Sequence, residues 1–227
     1  MVLAAGRGER MRPLTDACPK PLLEVSGKPL MQYHLEALKA GGFDPVVVNT
    51  AWLGEQIEAR YSQPSPALPA LLWSREGRDF GGPLETAGGV ARALPLLDDV
   101  FWVTASDNFV PGFRYTREVF ERFARSQRKA HLWLVENPDH HPTGDFGITD
   151  EGLAVREAPK RYTYASIGLF RQSFFAGAPH GNPQGRKIAL LTLLLEHMAR
   201  GEVSAELYPG AWTDVGTPER LAGLQAN

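Results

Sequence analysis

Met1-Val-Leu-Ala-Ala-Gly-Arg-Gly-Glu-Arg-Met-Arg-Pro-Leu-Thr-Asp-Ala-Cys-Pro-Lys-Pro21 opens the chain and sets the reading of everything after it. Val2 to Ala5 is a short apolar run that reads as a buried strand, and it empties at once into a loop with Gly6 and Gly8 two apart. Glycine permits positive φ and close backbone approach, so successive N–H groups can converge on an anion. Arg7, Arg10 and Arg12 follow, and then Lys20 between two prolines. A donor-lined loop trailed by fixed cations suits a polyphosphate; the competing reading is a glycine turn with a solvated basic edge. The dinucleotide fingerprint G-x-G-x-x-G is disfavoured, because Met11 fills the slot where a third glycine lets helix and strand close together.

Leu3-Ala-Ala-Gly-Arg-Gly-Glu-Arg-Met-Arg-Pro-Leu-Thr15 with Pro19-Lys20-Pro21 resembles the signature of the sugar-1-phosphate nucleotidylyltransferases. The resemblance implies a single Rossmann-like nucleotidyltransferase domain over 1–227, whose first loop (Leu3, Ala5, Gly6, Gly8) holds the nucleotide. Arg10 would then meet the triphosphate and Lys20 the reacting phosphates. Its partners would be a nucleoside triphosphate and a sugar 1-phosphate.

Working outward, strand and helix patterns alternate as in a doubly wound α/β fold: a mostly parallel mixed sheet with helices on both faces. Lys28 to Gly42 reads as a helix with Leu30, Tyr33, Ala37 and Leu38 as its apolar stripe; Val46 to Asn49 is a β-branched strand, and Leu53 to Tyr61 a shorter helix. Leu71 to Ser74 is the next strand, and Gly81 to Leu94 a glycine-rich turn opening a helix. Val100 to Ser106 and Ala130 to Val135 are strands separated by a helix from Glu118 to Arg128; a hairpin is expected around Asp150-Glu-Gly152. Ile188 to Arg200 is amphipathic, with Ile188, Leu191, Leu194, Leu195 and Met198 on the expected inner face. Thr217 and Pro218 have the chemistry of an N-cap and first helical residue.

The functional expectations fall on the loops. Beside the first loop, Glu85, Thr86 and Gly88 resemble the family's base-recognition segment. Asp107 stands just past a strand, where open parallel sheets bind ligands, and Asp214 precedes the last helix; both match the family's metal carboxylates, so Asp107 and Asp214 would hold Mg²⁺. Asn108, Gly147, Glu157 and Gly168 match positions that touch the sugar. The family's Glu-Lys-Pro becomes Glu157-Ala-Pro159 here, so that phosphate contact is either missing or supplied elsewhere, with Lys160 and Lys187 as candidates. His140 and His141 are adjacent and would point apart in an extended chain, so they read as loop residues and not as a ligand pair.

Val48 to Ile57, His140 to Ile148 and Trp212 to Leu221 resemble a branch of the family that pairs UTP with N-acetylmuramate α-1-phosphate in peptidoglycan recycling. The enzymes that pair GTP with mannose 1-phosphate share much of the same pattern. Ala158 would free room for the lactyl group, and Lys160, Arg161 or Arg186 are candidate cations for its carboxylate. A nucleotide-sugar sensor without catalysis is the reading of another class; it calls for loss of Lys20 or of a metal carboxylate, and all three residues are present.

With 24 basic and 26 acidic residues the chain has no charge excess for nucleic acid. One cysteine, Cys18, excludes an internal disulfide and agrees with a cytoplasmic setting. No apolar run reaches the ~20 residues of a membrane span, and no signal peptide or β-helical extension is expected. The first strand is expected to be short or to lack its beginning. Oligomeric state is not fixed by the sequence; a monomer would suffice.

Overall fold

Continuous apolar, β-branched runs lose solvent contact on both faces, and the chain provides helices for each. In the computed structural model, which describes residues 1–225, all five residues of Val46–Thr50 are buried. The sheet is built from β1 (Val2–Ala4), β2 (Val46–Thr50), β3 (Leu71–Arg75), β4 (Val100–Ala105), β5 (Ala130–Val135), β6 (Thr163–Arg171) and β7 (Val203–Leu207), in the spatial order β7-β5-β6-β4-β1-β2-β3. β6 runs antiparallel to β4 and β5, and every other pairing is parallel. The sheet is therefore mixed and mostly parallel.

Besides a single turn at Leu14–Ala17, the helices are α1 (Leu30–Ala40), α2 (Gly54–Arg60), α3 (Glu76–Phe80), α4 (Glu85–Ala93), α5 (Arg117–Arg125), α6 (Leu190–Ala199) and α7 (Pro218–Gln225). One face packs Ala87 and Val90 of α4 with Leu193, Leu194 and Met198 of α6 against Phe101, Val103 and Leu132. The other packs Met31, Leu35 and Leu38 of α1, Ile57 of α2 and Phe123 of α5 against Val48, Trp102 and Leu169. Each fully buried Leu or Phe contributes about 1.5–3 kcal/mol to such a core.

A third, smaller cluster bears on function. Met11 of the glycine loop is fully buried with Val25, Leu30, Val215 and Leu221. The side chain that spoils the dinucleotide fingerprint thus pins the first loop to the segment carrying Asp214.

Several boundaries differ from the sequence expectation. Lys28 and Pro29 belong to a two-residue hairpin with Glu24 and Val25, so α1 starts at Leu30. α6 buries Leu193, Leu194, His197 and Met198, whereas Leu191 is 45% exposed. Starting at Leu190, the helix turns the 193/194/197/198 stripe inward and leaves Leu191 at a cavity mouth. α3 and the edge strand β7 were not expected. β7 alternates buried and less buried residues, the period of a strand with one covered face. The hairpin around Gly152 forms between Gly147–Ile148 and Ala154–Val155. Thr217 caps α7 through its hydroxyl, 3.4 Å from the Arg220 N–H. β1 is three residues long, and the Met1 amine is buried 2.6 Å from the Trp102 carbonyl, with burial lowering its pKa to about 5.

Candidate active site

β1 and β4 lie side by side and end together, so the loops after them face each other across a cavity of about 520 Å³. Its walls include Leu3, Ala5, Gly6, Gly8, Arg10, Lys20 and Asp107, with Glu85 and Thr86 from the start of α4. The sequence reading anticipated these nine residues, and the fold brings them to one place.

Gly8 sits at φ 66°, where a side chain is strained, and a Cβ there would stand 3.1 Å from Thr15 Cγ2. A Cβ at Gly6 would meet nothing within 4 Å, so its absence leaves room on the cavity side. Thr15 closes the loop by donating to the Gly8 carbonyl at 2.8 Å.

The three arginines separate. Arg7 lies 3.8 Å over the Trp52 ring and donates to the Thr15 carbonyl and to Asp16. Arg12 also pairs with Asp16, whose carboxyl these two arginines hold below the usual range. Neither is the free polyphosphate cation read from the sequence, because Asp16, a few positions on in the same stretch, pairs with both and the distant Trp52 ring covers Arg7. Of the three, only Arg10 has a guanidinium with no partner among the described residues.

Lys20 is 7% exposed and its Nζ donates to Asp107 Oδ2 at 2.5 Å. Asp107 is held from below: the Val215 N–H donates to its carbonyl, and the next residue's carbonyl accepts from buried His34 at 2.8 Å. Asp214 pairs with Asn108 in a two-residue antiparallel ladder, so the two carboxylate-bearing segments adjoin. Arg220 donates to Asp214 Oδ2 at 2.6 Å and lies 2.9 Å from His140 Nε2. His141 faces Asp145 instead, so the adjacent histidines have separate partners.

No group of three His, Cys, Asp or Glu suited to an ion occurs among the described residues. Two carboxylates completed by phosphate oxygens are a donor set that Mg²⁺ takes, whereas an all-protein cage is what Ca²⁺ and structural Zn²⁺ take. Asp107 and Asp214 therefore fit an ion that arrives with a nucleotide. Cys18 is half-buried, and burial raises its thiol pKa, the opposite of an activated nucleophile.

Behind Glu85 and Thr86 lies a buried relay that the sequence reading missed. The Ala4 N–H donates to Asn49 Oδ1, Asn49 Nδ2 donates to Glu76 Oε1 at 2.6 Å, and the Leu84 N–H donates to Glu76 Oε2 at 2.8 Å. Glu76 is fully buried, and desolvation raises its pKa. The relay ties the end of β1 to the loop before α4.

A second cavity of about 540 Å³ shares Leu3, Glu85, Thr86 and Ala105 with the first. Val103, Phe146, Tyr164, Leu190, Leu191 and Leu194 make its wall largely apolar; Asp145 and Ser166 supply polar groups. The expected sugar contacts are placed otherwise. Asn108 spends its amide on the Ala165 carbonyl, Glu157 is exposed, and Gly168 is buried within β6. A Cβ at Gly147 would fall 2.2 Å from that of Ala158, so these residues pack on each other away from the cavity walls. The Gly88 N–H donates to the Ile188 carbonyl, and a Cβ would meet the Arg186 carbonyl at 2.5 Å, so Gly88 packs α4 against the 186–188 segment. Lys160 pairs with Glu136, and no lysine or arginine lines the second cavity.

The family profile described as nucleotidyl transferase matches residues 1–227. An N-acetylmuramate alpha-1-phosphate uridylyltransferase of Neisseria meningitidis serogroup B is 42% identical, covering 100% of this chain and 96% of its own. One from Caulobacter vibrioides is 30% identical over 100% and 95%. Among solved structures, a putative glucose-1-phosphate thymidylyltransferase from Bacillus anthracis in complex with a sucrose superposes with a TM-score of 0.80 at 18% identity, covering 99% of this chain and 92% of that one.

Proposed function

The chain belongs to the nucleotidyl transferase family and transfers a nucleotidyl group to a sugar 1-phosphate; from that premise we propose that the donor is UTP and the acceptor N-acetylmuramate α-1-phosphate, in cytoplasmic peptidoglycan recycling. The observation that carries the pairing is the 42% identity to the Neisseria relative across both chains.

The geometry supports a route from residues to reaction. An oxygen of the sugar phosphate attacks the α-phosphorus of UTP, the new P–O bond forms in line, and the bond to the β-phosphate breaks to release pyrophosphate. A phosphate monoester is largely dianionic at neutral pH, its second pKa being ~6, so no general base is required. The protein must instead cancel charge between two anions and hold them in line. The Gly6–Gly8 loop cradles the nucleotide, Arg10 meets the β- and γ-phosphates, and Lys20 stabilises charge on the transferring group. Mg²⁺ held by Asp107 and Asp214 would supply further neutralisation of the phosphates. On nucleotide entry Lys20 exchanges its contact with Asp107 for phosphate oxygens.

The second cavity is the proposed sugar chamber. Its apolar wall of Val103, Phe146, Leu190 and Leu194 suits the acetyl and lactyl methyl groups, with the lactyl carboxylate toward the solvent side. The test is pyrophosphate release from UTP with N-acetylmuramate α-1-phosphate against GTP with mannose 1-phosphate. The first pair is expected to lead in kcat/KM. A tenfold lead for the second, about 1.4 kcal/mol of transition-state preference, overturns the substrate pair and leaves the family standing.

A further inference from the structure

Asp107 and Asp214 each have one carboxylate oxygen held by a cation. Lys20 reaches Asp107 Oδ2 at 2.5 Å, and Arg220 Nη1 reaches Asp214 Oδ2 at 2.6 Å. The two pairs are built differently. Lys20 lines the first cavity and has no second acceptor among the described residues, so it can turn to a phosphate. Arg220 does not line that cavity, and its Nη1 meets two more acceptors: the Asp214 carbonyl at 3.0 Å and His140 Nε2 at 2.9 Å. A guanidinium can only donate, so His140 Nε2 accepts and carries no proton. Arg220 is also placed against a local preference, in the first turn of α7, where the positive end of the helix disfavours a cation. The pair closes over a glycine: a Cβ at Gly216 would stand 2.8 Å from Asp214 Oδ2 and 2.9 Å from Arg220 Nη2. Its side chains are only 21% and 22% exposed, unlike the solvent-facing ion pairs that contribute little.

We propose that Arg220 is a positioning residue for the metal carboxylate: it fixes Asp214 Oδ2, leaves Oδ1 for the ion, and is itself kept in place by His140. Asp214 Oδ1 has no partner among the described residues. A carboxylate free to rotate has to be ordered when the ion binds, whereas one clamped through its side chain and its own carbonyl is ordered beforehand. Outer partners of this kind are worth roughly 10–100-fold in metal affinity. His140 belongs to the loop that continues to Asp145 and Phe146 of the second cavity, so the clamp joins the metal carboxylate to the sugar side of the site.

This role rests on the reading that Asp107 and Asp214 hold the ion, which Asp214→Asn tests by itself. The probe is Mn²⁺ bound to the protein with UTP and no sugar phosphate, followed by water proton relaxation. It is set beside the Mg²⁺ concentration that gives half-maximal turnover. In Arg220→Met the Mn²⁺ dissociation constant and the half-saturating Mg²⁺ should both rise by roughly 10–100-fold, and excess Mg²⁺ should recover most of the lost rate. Arg220→Lys, which restores a charge without the planar fork, should recover part of the affinity. His140→Ala, at an exposed position, should weaken Mn²⁺ severalfold with no change in the melt. An Arg220→Met protein that melts lower but binds Mn²⁺ as tightly as the unmodified one overturns the role, because the contact is then only structural. Should that variant fail to fold, unchanged Mn²⁺ affinity in both Arg220→Lys and His140→Ala overturns it equally. Weaker Mn²⁺ binding in Asp214→Asn alone leaves the metal reading standing without Arg220; unchanged binding in Asp214→Asn removes the metal reading and Arg220 with it.

Discussion

At the amino-terminal edge of the sheet, Arg171 donates to the carbonyls of Phe123, Ala124, Ser126 and Arg128 and pairs with Asp99. Close by, Glu202 is met by His197, Lys129 and Arg200. At the carboxyl-terminal edge, Arg10, Glu85 and Thr86 have no side-chain partner among the described residues, and the Lys20–Asp107 and Arg220–Asp214 pairs stand where a ligand would come between them. The first edge uses charge to finish the fold: a guanidinium on the last carbonyls of α5 satisfies groups that the helix leaves open and complements its dipole. The second keeps charge in reserve, together with Glu85 at a strained φ of 59°, a cost to folding that a bound ligand offsets.

The contrast is broken most readily by mutating the second edge and finding a fold effect. Asp107→Ala and Lys20→Ala are each expected to lower kcat by roughly 10²–10³, the scale of a lost electrostatic contact in the transition state. Lys20→Ala should lower kcat far more than it raises KM. EDTA should abolish turnover and Mg²⁺ should restore it, while thermal melts of both variants stay within about 4 °C of the unmodified protein. Full activity in EDTA would remove the metal assignment.

The reciprocal experiment is Arg171→Met, which keeps the aliphatic bulk and removes the donors. Several backbone carbonyls lose a charged partner together, so a loss of about 2–4 kcal/mol is expected, or a drop in Tm of roughly 5–12 °C for a chain this size. At 25 °C kcat/KM should stay within about twofold. A parallel loss of activity would mean that the two edges are not separable.

Gly89→Ala sharpens the comparison at a place where the second edge is fully satisfied. A Cβ there would fall 2.5 Å from Glu76 Oε1 and 2.9 Å from Asn49 Nδ2, and so would push on the relay that holds Leu84. Steady-state kinetics should show KM for the nucleotide rising several-fold with kcat nearly intact. An equal fall in kcat would place the relay in the reacting geometry instead of in base positioning.

The difference between the edges also explains what could be read in advance. The glycine loop, Arg10, Lys20 and the carboxylate beyond β4 are local patterns, written in adjacent residues, and so are the strands and most helices around them. Arg7 and Arg12 misled because a carboxylate in the same stretch, Asp16, claims both, and because Trp52 is folded onto Arg7 from a distance. Gly147 and Gly168 on the expected sugar side and Gly88 on the expected base side are crowded by protein atoms, a fact that no spacing reveals. Glu76 and Asn49 carry no local signal, since each is meaningful only through the other, 27 positions away.

The smallest expected effect comes from acid. Glu202 has its pKa lowered from the ordinary 4.5 to about 2, chiefly by the 2.6 Å contact with His197 Nδ1 and then by Lys129 and Arg200. A carboxyl whose folded pKa lies below its unfolded one stabilises the fold fully above the unfolded value, and the contribution is lost as pH falls toward the folded value. Glu202→Gln removes the charge at every pH. The variant should therefore melt about 2–4 °C lower than the unmodified protein at pH 7, and the gap should hold down to about pH 5. Between pH 4.5 and about 2 it should close as the native carboxylate takes up its proton. Other carboxylates titrate over the same range in both proteins, so the difference between the two melts isolates Glu202. A gap that persists unchanged at pH 2.5 would show that the His197 contact acts through packing and not through charge, and the amino-terminal edge would lose its clearest example of charge used to finish the fold.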